Sequence, residues 1–296
     1  MHIHNHHQNR VLGAIAITAT ILLAEAIGGW LTNSLALLSD AGHMFTDLLA
    51  LGLSFQALRL AERPPTANRT FGFRRAEILS ALANGVVLIV VSLFIFYEAY
   101  RRLVSPPEVK GLGMLAIAAI GLVANLGGVV LLREAGDNLN IRGALLHVLG
   151  DAISSVGVIV GGLVILATGW YLVDPIISIA IGLIIIWGAV RLVNESVNIL
   201  MEAVPKHVNP ATVVAAMRRV PGVQDVHDVH IWCLTPQLCN LSCHILIDDM
   251  ATSRSNEILT QVNHLLAEQF HIQHTTIQFE CERCGPEDAV CSLGAK

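Results

Sequence analysis

The sequence predicts a polytopic α-helical membrane protein of six transmembrane helices with a small cytosolic α+β domain (α-β-β-α-β) at its C-terminal end. Three observations lead there. The 296 residues are 54% hydrophobic and only 14% charged, with a mean hydropathy of +0.62, which is a membrane composition. Six apolar runs, at about 11–31, 37–58, 77–100, 111–132, 143–168 and 172–193, each reach the roughly 20 residues a helix needs to cross hydrocarbon. From about residue 205 the pattern turns polar and alternating, with Pro205 closing the last apolar helix.

These boundaries give a His-rich cytosolic segment (1–10), a six-helix domain (11–200), a cytosolic domain (205–285) and a tail (286–296). In the cytosolic domain 209–219 reads as a short amphipathic helix, 225–234 and 240–248 as strands, 254–270 as a helix and 275–281 as a last strand. The first apolar run spans without a small-residue cleavage site, so it reads as a retained helix rather than a leader. Basic residues in short connections set orientation. With the N-terminus cytoplasmic, Arg10, Arg59, Arg63, Arg69, Arg74, Arg75, Arg133, Arg142 and Arg191 lie inside, and Arg101, Arg102 and Lys110 outside. Both termini are therefore expected on the cytoplasmic side of the inner (plasma) membrane, although Arg101 and Arg102 run against the rule.

All six cysteines (233, 239, 243, 281, 284 and 291) fall in the C-terminal part. That places them in a reducing compartment, where disulfides are not expected and metal ligation or plain burial are the choices. The same part is acidic and histidine-rich, which suits cations and excludes nucleic acid as a partner. No H-E-x-x-H string occurs, so an intramembrane metalloprotease is excluded, and neither an enzyme nor an organic cofactor is expected.

Chemistry enters through two repeats of one spacing inside the apolar runs: His43 with Asp47 and His147 with Asp151. Residues four apart share a helix face, so two such helices side by side would offer two imidazoles and two carboxylates to one point. A carboxylate at the bilayer centre costs roughly 2.5–3.5 kcal/mol on insertion scales, so it needs a partner or a watery cavity. Nitrogen and oxygen donors in fours suit Zn²⁺. Haem clamped by the histidines would leave both carboxylates idle. A single pair could equally be a contact between helices, and the repetition is what favours metal. Glu25 lies in the first run. Asp40 shares the stripe of His43 and Asp47 and reads either as a pathway carboxylate or as a helix cap. Asn84 and Asn125 read as interhelical hydrogen-bond partners, and Gly157 with Gly161 as a close-packing stripe.

In the cytosolic domain His227, His230, His244, His274 and Glu280 form a second candidate set. His227 and His230, three apart on one strand, must face opposite sides, so one of them at most joins a shared site with His244, His274 and Glu280. For each alone, surface or core placement is the simpler reading. Cys281 and Cys284 are half of a structural zinc motif, or two free thiols. His2, His4, His6 and His7 form a mobile terminus able to gather metal without fixed geometry.

The motifs resemble the cation diffusion facilitator family of zinc transporters, in particular its bacterial zinc/cadmium efflux branch. The carrying residues are Ser39–Asp47 (SDAGHMFTD), Phe71–Ile78 (FGFRRAEI), His147–Asp151 (HVLGD), Val226–Trp232 (VHDVHIW) and His274–Glu280 (HTTIQFE). The resemblance implies a homodimer in the bilayer, transport of Zn²⁺ or Cd²⁺ out of the cytoplasm in exchange for protons at His43, Asp47, His147 and Asp151, and cytosolic domains that pair and bind regulatory zinc. It also implies an ion pair between Arg75 and Glu202 that helps hold the dimer. Some relatives carry metal-binding histidines in the loop after the second helix. Here Arg69 and Phe73 stand in those places, so no metal is expected in that loop. A sensor scaffold using the cytosolic residues alone, or a channel without proton coupling, is the competing reading.

Overall fold

The computed structural model describes the backbone of residues 2–133 and 139–282 and the side chains of 16–130 and 148–282. Six long helices come first: α1 (His2–Thr32), α2 (Leu35–Ala61), α3 (Ala76–Val104), α4 (Gly111–Arg133), α5 (Leu139–Thr168) and α6 (Val173–Leu200). Among the described residues five of them are long and apolar enough to cross a membrane, and α1 adds the apolar stretch Ala16–Thr32. Large apolar side chains such as Phe94, Val123, Ile153, Ile184 and Trp187 point outward. That distribution suits a hydrocarbon solvent, in which outward apolar surface costs nothing.

By internal contacts the chain forms two units. Met1–Phe55 with Ala83–Val193 make the first, and Gln56–Leu82 with Asn194–Lys296 the second. Within the first, α4 packs against both α5 and α1. Of the two glycines expected to permit close packing, Gly161 does so, since a Cβ there would run into Ile177 of α6; Gly157 faces open space. Asn84 is buried, but its Oδ1 meets no donor among the described residues, so the expected interhelical bond through that atom is not made.

A polar knot ties the turn between α1 and α2 to α3 and α6. Helix α1 ends through Asn33, which adopts φ 58°. Ser34 then opens α2, its Oγ accepting from the Leu37 N–H at 3.2 Å. The remaining orphan N–H groups of that helix start are met by Asp174 of α6, which accepts from Leu35 N at 2.7 Å, Ala36 N at 3.2 Å and Ser34 Oγ at 2.6 Å. Arg102 of α3 neutralises this fully buried carboxylate at 3.6 Å and donates to the Asn33 carbonyl at 2.6 Å. Glu98 holds both Arg102, at 3.1 Å, and Arg101, at 3.2 Å. The two arginines that dissent from the charge rule are therefore bound within the bundle's own polar network, not free charges in a loop.

The second unit contains the soluble domain. Helix α6 stops where Glu202 turns to φ 59° and Ala203 N–H reaches back to the Asn198 carbonyl at 2.9 Å, the αL termination that lets a following proline leave the helix. Next come α7 (Pro210–Met217), β1 (Asp225–Thr235), β2 (Leu238–Leu246), α8 (Thr252–Phe270) and β3 (Ile272–Glu280). The sheet order is β1-β2-β3, with β1/β2 antiparallel and β2/β3 parallel. A crossover helix is what a parallel pair requires. Val226, Val229, Ile231, Leu241, Cys243 and Ile245 on one sheet face join Val213, Met217, Ile258, Val262 and Leu266 of α7 and α8 in the core. The other face carries no helix of this domain.

The cysteines depart from the expectation of free thiols. Cys233 and Cys239 stand opposite each other across the β1/β2 hairpin and are joined in a disulfide, with Cα atoms 4.0 Å apart. The hairpin register puts both side chains on the core face as direct cross-strand neighbours. Cys243 is a buried free thiol, which burial pushes up to about 12. Cys281 is free and exposed; Cys284 and Cys291 lie outside the described residues.

The knot yields a stability test. Asp174→Ala uncaps α2 and leaves Arg102 buried without its counter-charge, a change worth about 3–5 kcal/mol. The melting midpoint of the detergent-solubilised protein should fall clearly, and fall less for Asp174→Asn, which keeps an oxygen for the α2 N–H groups.

Candidate metal centres

In the membrane unit, α2 sets His43 and Asp47 one turn apart, with Nε2 3.5 Å from Asp47 Oδ2. Both side chains are partly exposed, at 29% and 22%, so the pair is reachable. Asp151 of α5 is buried. Ser154 of α5 donates to Asp40 Oδ1 of α2 at 2.7 Å. That bond fixes α2 against α5 three residues before His43 and three after Asp151. It also removes one of the two readings of Asp40, the helix cap. The residue lies in the second turn of α2, almost fully buried, and the helix is capped by Ser34 and Asp174 instead. His147 is on α5 one turn before Asp151; its side chain lies outside the described residues, as do those of His2, His4, His6 and His7.

In the soluble unit His227, His244 and Glu280 offer one nitrogen or oxygen each, all within 4.8 Å of one another. His227 Nε2 lies 3.2 Å from Glu280 Oε2, and His244 Nδ1 lies 2.8 Å from Glu280 Oε1. The two imidazoles meet edge to face with centroids 5.4 Å apart. Gln278 donates to Glu280 Oε1 at 3.0 Å and so orients it. His227 is completely buried, yet neither ring nitrogen makes a hydrogen bond of good geometry. Buried polar atoms are normally satisfied, and an N,N,O donor set in this state fits a divalent metal such as Zn²⁺.

A β-bulge overturns one expectation about this site. His227 pairs with His244 and His230 with Ser242, so three steps on β1 match two on β2. The extra residue is taken up at Asp228, whose φ is 52°. The parity of the strand is thereby restored, and His227 and His230 lie on the same sheet face instead of opposite ones. Asp228 bridges His230 and His244, with Oδ1 3.1 Å from His230 Nε2 and Oδ2 3.6 Å from His244 Nε2. Sequence reasoning missed Asp228 as a participant, although an Asp inside a β-branched run is a poor strand former and a cue for a bulge.

His274 does not converge with the rest. It pairs with Asn240, four residues along β2 from His244, or about 13 Å at the strand rise, and meets Phe71 edge-on at 5.6 Å. Cys281 is not in the cluster, and Cys284 lies outside the described residues. In the loop after α2, the Arg69 guanidinium stacks 4.3 Å above the Phe73 ring. Arg75 and Glu202 form the ion pair that the resemblance implied, at 2.7 Å within one chain. A cavity of about 950 Å³ in this unit is lined by that pair together with Phe73, His230 and Trp232.

Residues 11–201 match the model of the cation efflux transmembrane domain, and residues 205–282 that of the cation efflux protein cytoplasmic domain. The chain belongs to the cation diffusion facilitator family. It is similar to the cadmium, cobalt and zinc/H(+)-K(+) antiporter of Bacillus subtilis, 43% identical over 98% of this chain and 94% of that one. The metal cation efflux system protein CzcD of Cupriavidus metallidurans is 42% identical over 99% and 94%, and the zinc transporter ZitB of Escherichia coli 40% identical over 94% and 89%. A solved structure, the metal-bound C-terminal domain of the CzcD transporter, aligns with 25% of this chain and 99% of its own at 40% identity and a TM-score of 0.23. The protein is thus a multi-pass inner-membrane efflux transporter of metal cations with a dimerisation domain, and not an enzyme.

The bulge can be tested through its backbone. A left-handed φ costs a β-branched residue the most, so Asp228→Val should lower the melting midpoint of the soluble unit by an amount equivalent to about 1–3 kcal/mol. Asp228→Gly should keep the midpoint near wild type while weakening metal binding at His244.

Proposed function

We propose that this protein exports Zn²⁺, and with it Cd²⁺, from the cytoplasm in exchange for protons, by alternating access at an intramembrane site of His43, Asp47, His147 and Asp151. The observation that carries the reading is the His43–Asp47 pair on α2, held against the α5 turn of Asp151 by the Asp40–Ser154 hydrogen bond. The names of the relatives support it: antiport of cadmium, cobalt and zinc against protons and potassium for one, zinc transport for another.

The chemistry follows from competition. Metal takes neutral imidazole and ionised carboxylate, so protons and Zn²⁺ contend for the same atoms. Histidine at its ordinary pKa of about 6.5 exchanges protons in the physiological range. Zn²⁺ bound by two carboxylates and two imidazoles is electrically neutral, which lets the loaded site cross the low-dielectric middle of the bundle. After release, protons neutralise the emptied site for the return. Moving Zn²⁺ outward costs the membrane potential twice the roughly 2.3 kcal/mol per 100 mV that one inward charge yields, so two protons cancel that cost and their pH gradient drives the ion outward.

The same reading makes His227, His244 and Glu280 a regulatory zinc site on the open face of the soluble sheet, with His230 joined through Asp228. We infer that both termini lie in the cytoplasm; nine basic residues against three in the short connections support this, and the dissenting Arg101 and Arg102 are held by Glu98 and Asp174.

Two measurements follow. Zinc uptake into everted vesicles should rise with an imposed pH gradient for wild type and fall to background for Asp151→Ala, with equal amounts of inserted protein. Wild-type flux from Asp151→Ala would remove the site assignment, and uptake indifferent to the gradient would favour a uniporter. His244→Ala should bind one zinc fewer per chain by calorimetry. It should raise the cytoplasmic zinc concentration for half-maximal transport several-fold, leaving the preference for zinc over manganese unchanged.

A further inference from the structure

We propose that Glu25 and Asp40 form a second cation seat in the membrane unit, separate from the four candidate metal ligands, which holds one counter-transported positive charge. The inference rests on the antiport reading above and names where the exchanged charge resides.

Glu25 lies inside the apolar stretch of α1 and is 1% exposed. Its Oε2 meets no hydrogen-bond partner among the described residues. The two hydroxyls nearby on α5 are committed elsewhere: Ser154 donates to Asp40 Oδ1 at 2.7 Å, and Ser155 to the Asp151 carbonyl at 3.0 Å. A carboxylate kept only for structure would have its oxygens satisfied. This one is left open in a place built for it. Opposite, α4 presents Gly121, where a Cβ would stand 2.7 Å from Glu25 Oε1 and 3.7 Å from Ser155 Oγ. Any side chain at that position would take the space of the carboxylate.

The charges around it point the same way. Asp40 from α2 and Asp151 from α5 both lie within electrostatic range of Glu25, and Asp47 within range of Asp40; α4 brings no ionisable group among its described residues. The stretches 16–32, 35–55, 83–100, 111–130, 148–168 and 173–190 contain neither Lys nor Arg. Two carboxylates, Asp47 and Asp151, balance a divalent metal. Glu25 and Asp40 are then surplus anions in an apolar bundle, and surplus anions there take up a cation. The occupant carries one positive charge, a proton or an alkali ion. A closed pocket with few free oxygens suits the proton. Metal arriving at Asp151 repels this charge, and metal leaving lets it return, which is a coupling between two sites.

The test uses the full-length protein in proteoliposomes, with zinc uptake driven either by a pH gradient without potassium or by a potassium gradient at equal pH. Protons released per zinc bound are measured in parallel, by calorimetry in buffers of different ionisation enthalpy. Glu25→Gln should lose at least tenfold of the gradient-driven uptake and release fewer protons per zinc, while still binding zinc; Glu25→Asp should recover part of the gradient dependence. If potassium alone drives wild type, and Glu25→Gln loses that drive, the seat stands with an alkali ion as occupant. Wild-type dependence on both gradients and an unchanged proton count in Glu25→Gln would overturn it. Should Glu25→Gln fail to insert, Gly121→Ala decides: crowding of Oε1 should shift the pH profile of uptake, and an unshifted profile overturns the seat. A wild type indifferent to either gradient removes the antiport reading itself, a result distinct from failure of the seat alone.

Discussion

A carboxylate in hydrocarbon has to be neutralised, and the membrane unit is organised around ways of doing so. Asp174 is neutralised permanently: three hydrogen bonds from the start of α2 and the Arg102 guanidinium satisfy it. It behaves as architecture, joining three helices at one end of the bundle. Around Asp40, Asp47, Asp151 and Glu25 the apolar stretches contain no Lys or Arg. Under the proposed exchange, neutralisation there comes with the ion or proton that arrives and leaves. That contrast sets Asp174 apart from the other four, although all five are buried or half-buried on similar helices.

The soluble unit solves a different problem, the gathering of donors on a sheet whose side chains alternate. Without a bulge, His227 and His230 would be on opposite faces, and one would be wasted in the core. One residue in a left-handed conformation, Asp228, resets the parity and adds a carboxylate between His230 and His244. The cost of that φ, about 1–3 kcal/mol, is offset by the contacts it permits. The local geometry is thus part of the donor set and more than a scaffold for it.

Hydrophobic periodicity made the six helices and the α-β-β-α-β order legible, and the doubled four-residue spacing singled out the His43–Asp47 pair that the structure sets one turn apart on α2. What escaped has identifiable causes. Parity reasoning about His227 and His230 assumed a regular strand, and an irregularity of one residue is invisible to a pattern of period two. The convergence of His274 failed on register, since a parallel crossover can pair β3 with β2 at any offset the connecting helix allows. The disulfide between Cys233 and Cys239 was argued away from compartment chemistry, which says nothing about two side chains a tight hairpin makes immediate neighbours. The role of Asp174 depends on a contact between residues 140 apart in sequence, beyond any local signal.

The two units share helices as well as a chain. Helix α2 carries His43 and Asp47 in the first unit and continues without a break into the second at Gln56, 13 residues beyond His43, about 20 Å at the helical rise. Helix α6 likewise crosses from one unit to the other between Val193 and Asn194. Arg75 at the start of α3 and Glu202 at the end of α6 are bonded within the second unit. A helix transmits rotation and translation because its backbone hydrogen bonds are continuous, so a change at the Gln56 end of α2 has a stiff route to the turn that carries His43 and Asp47. The regulatory role proposed for His227, His244 and Glu280 needs no contact with the transported ion. It requires only that zinc at the sheet prefer one arrangement of α2 over another, which is a differential affinity and therefore reciprocal: transport-site occupancy must alter zinc affinity at the sheet by the same factor.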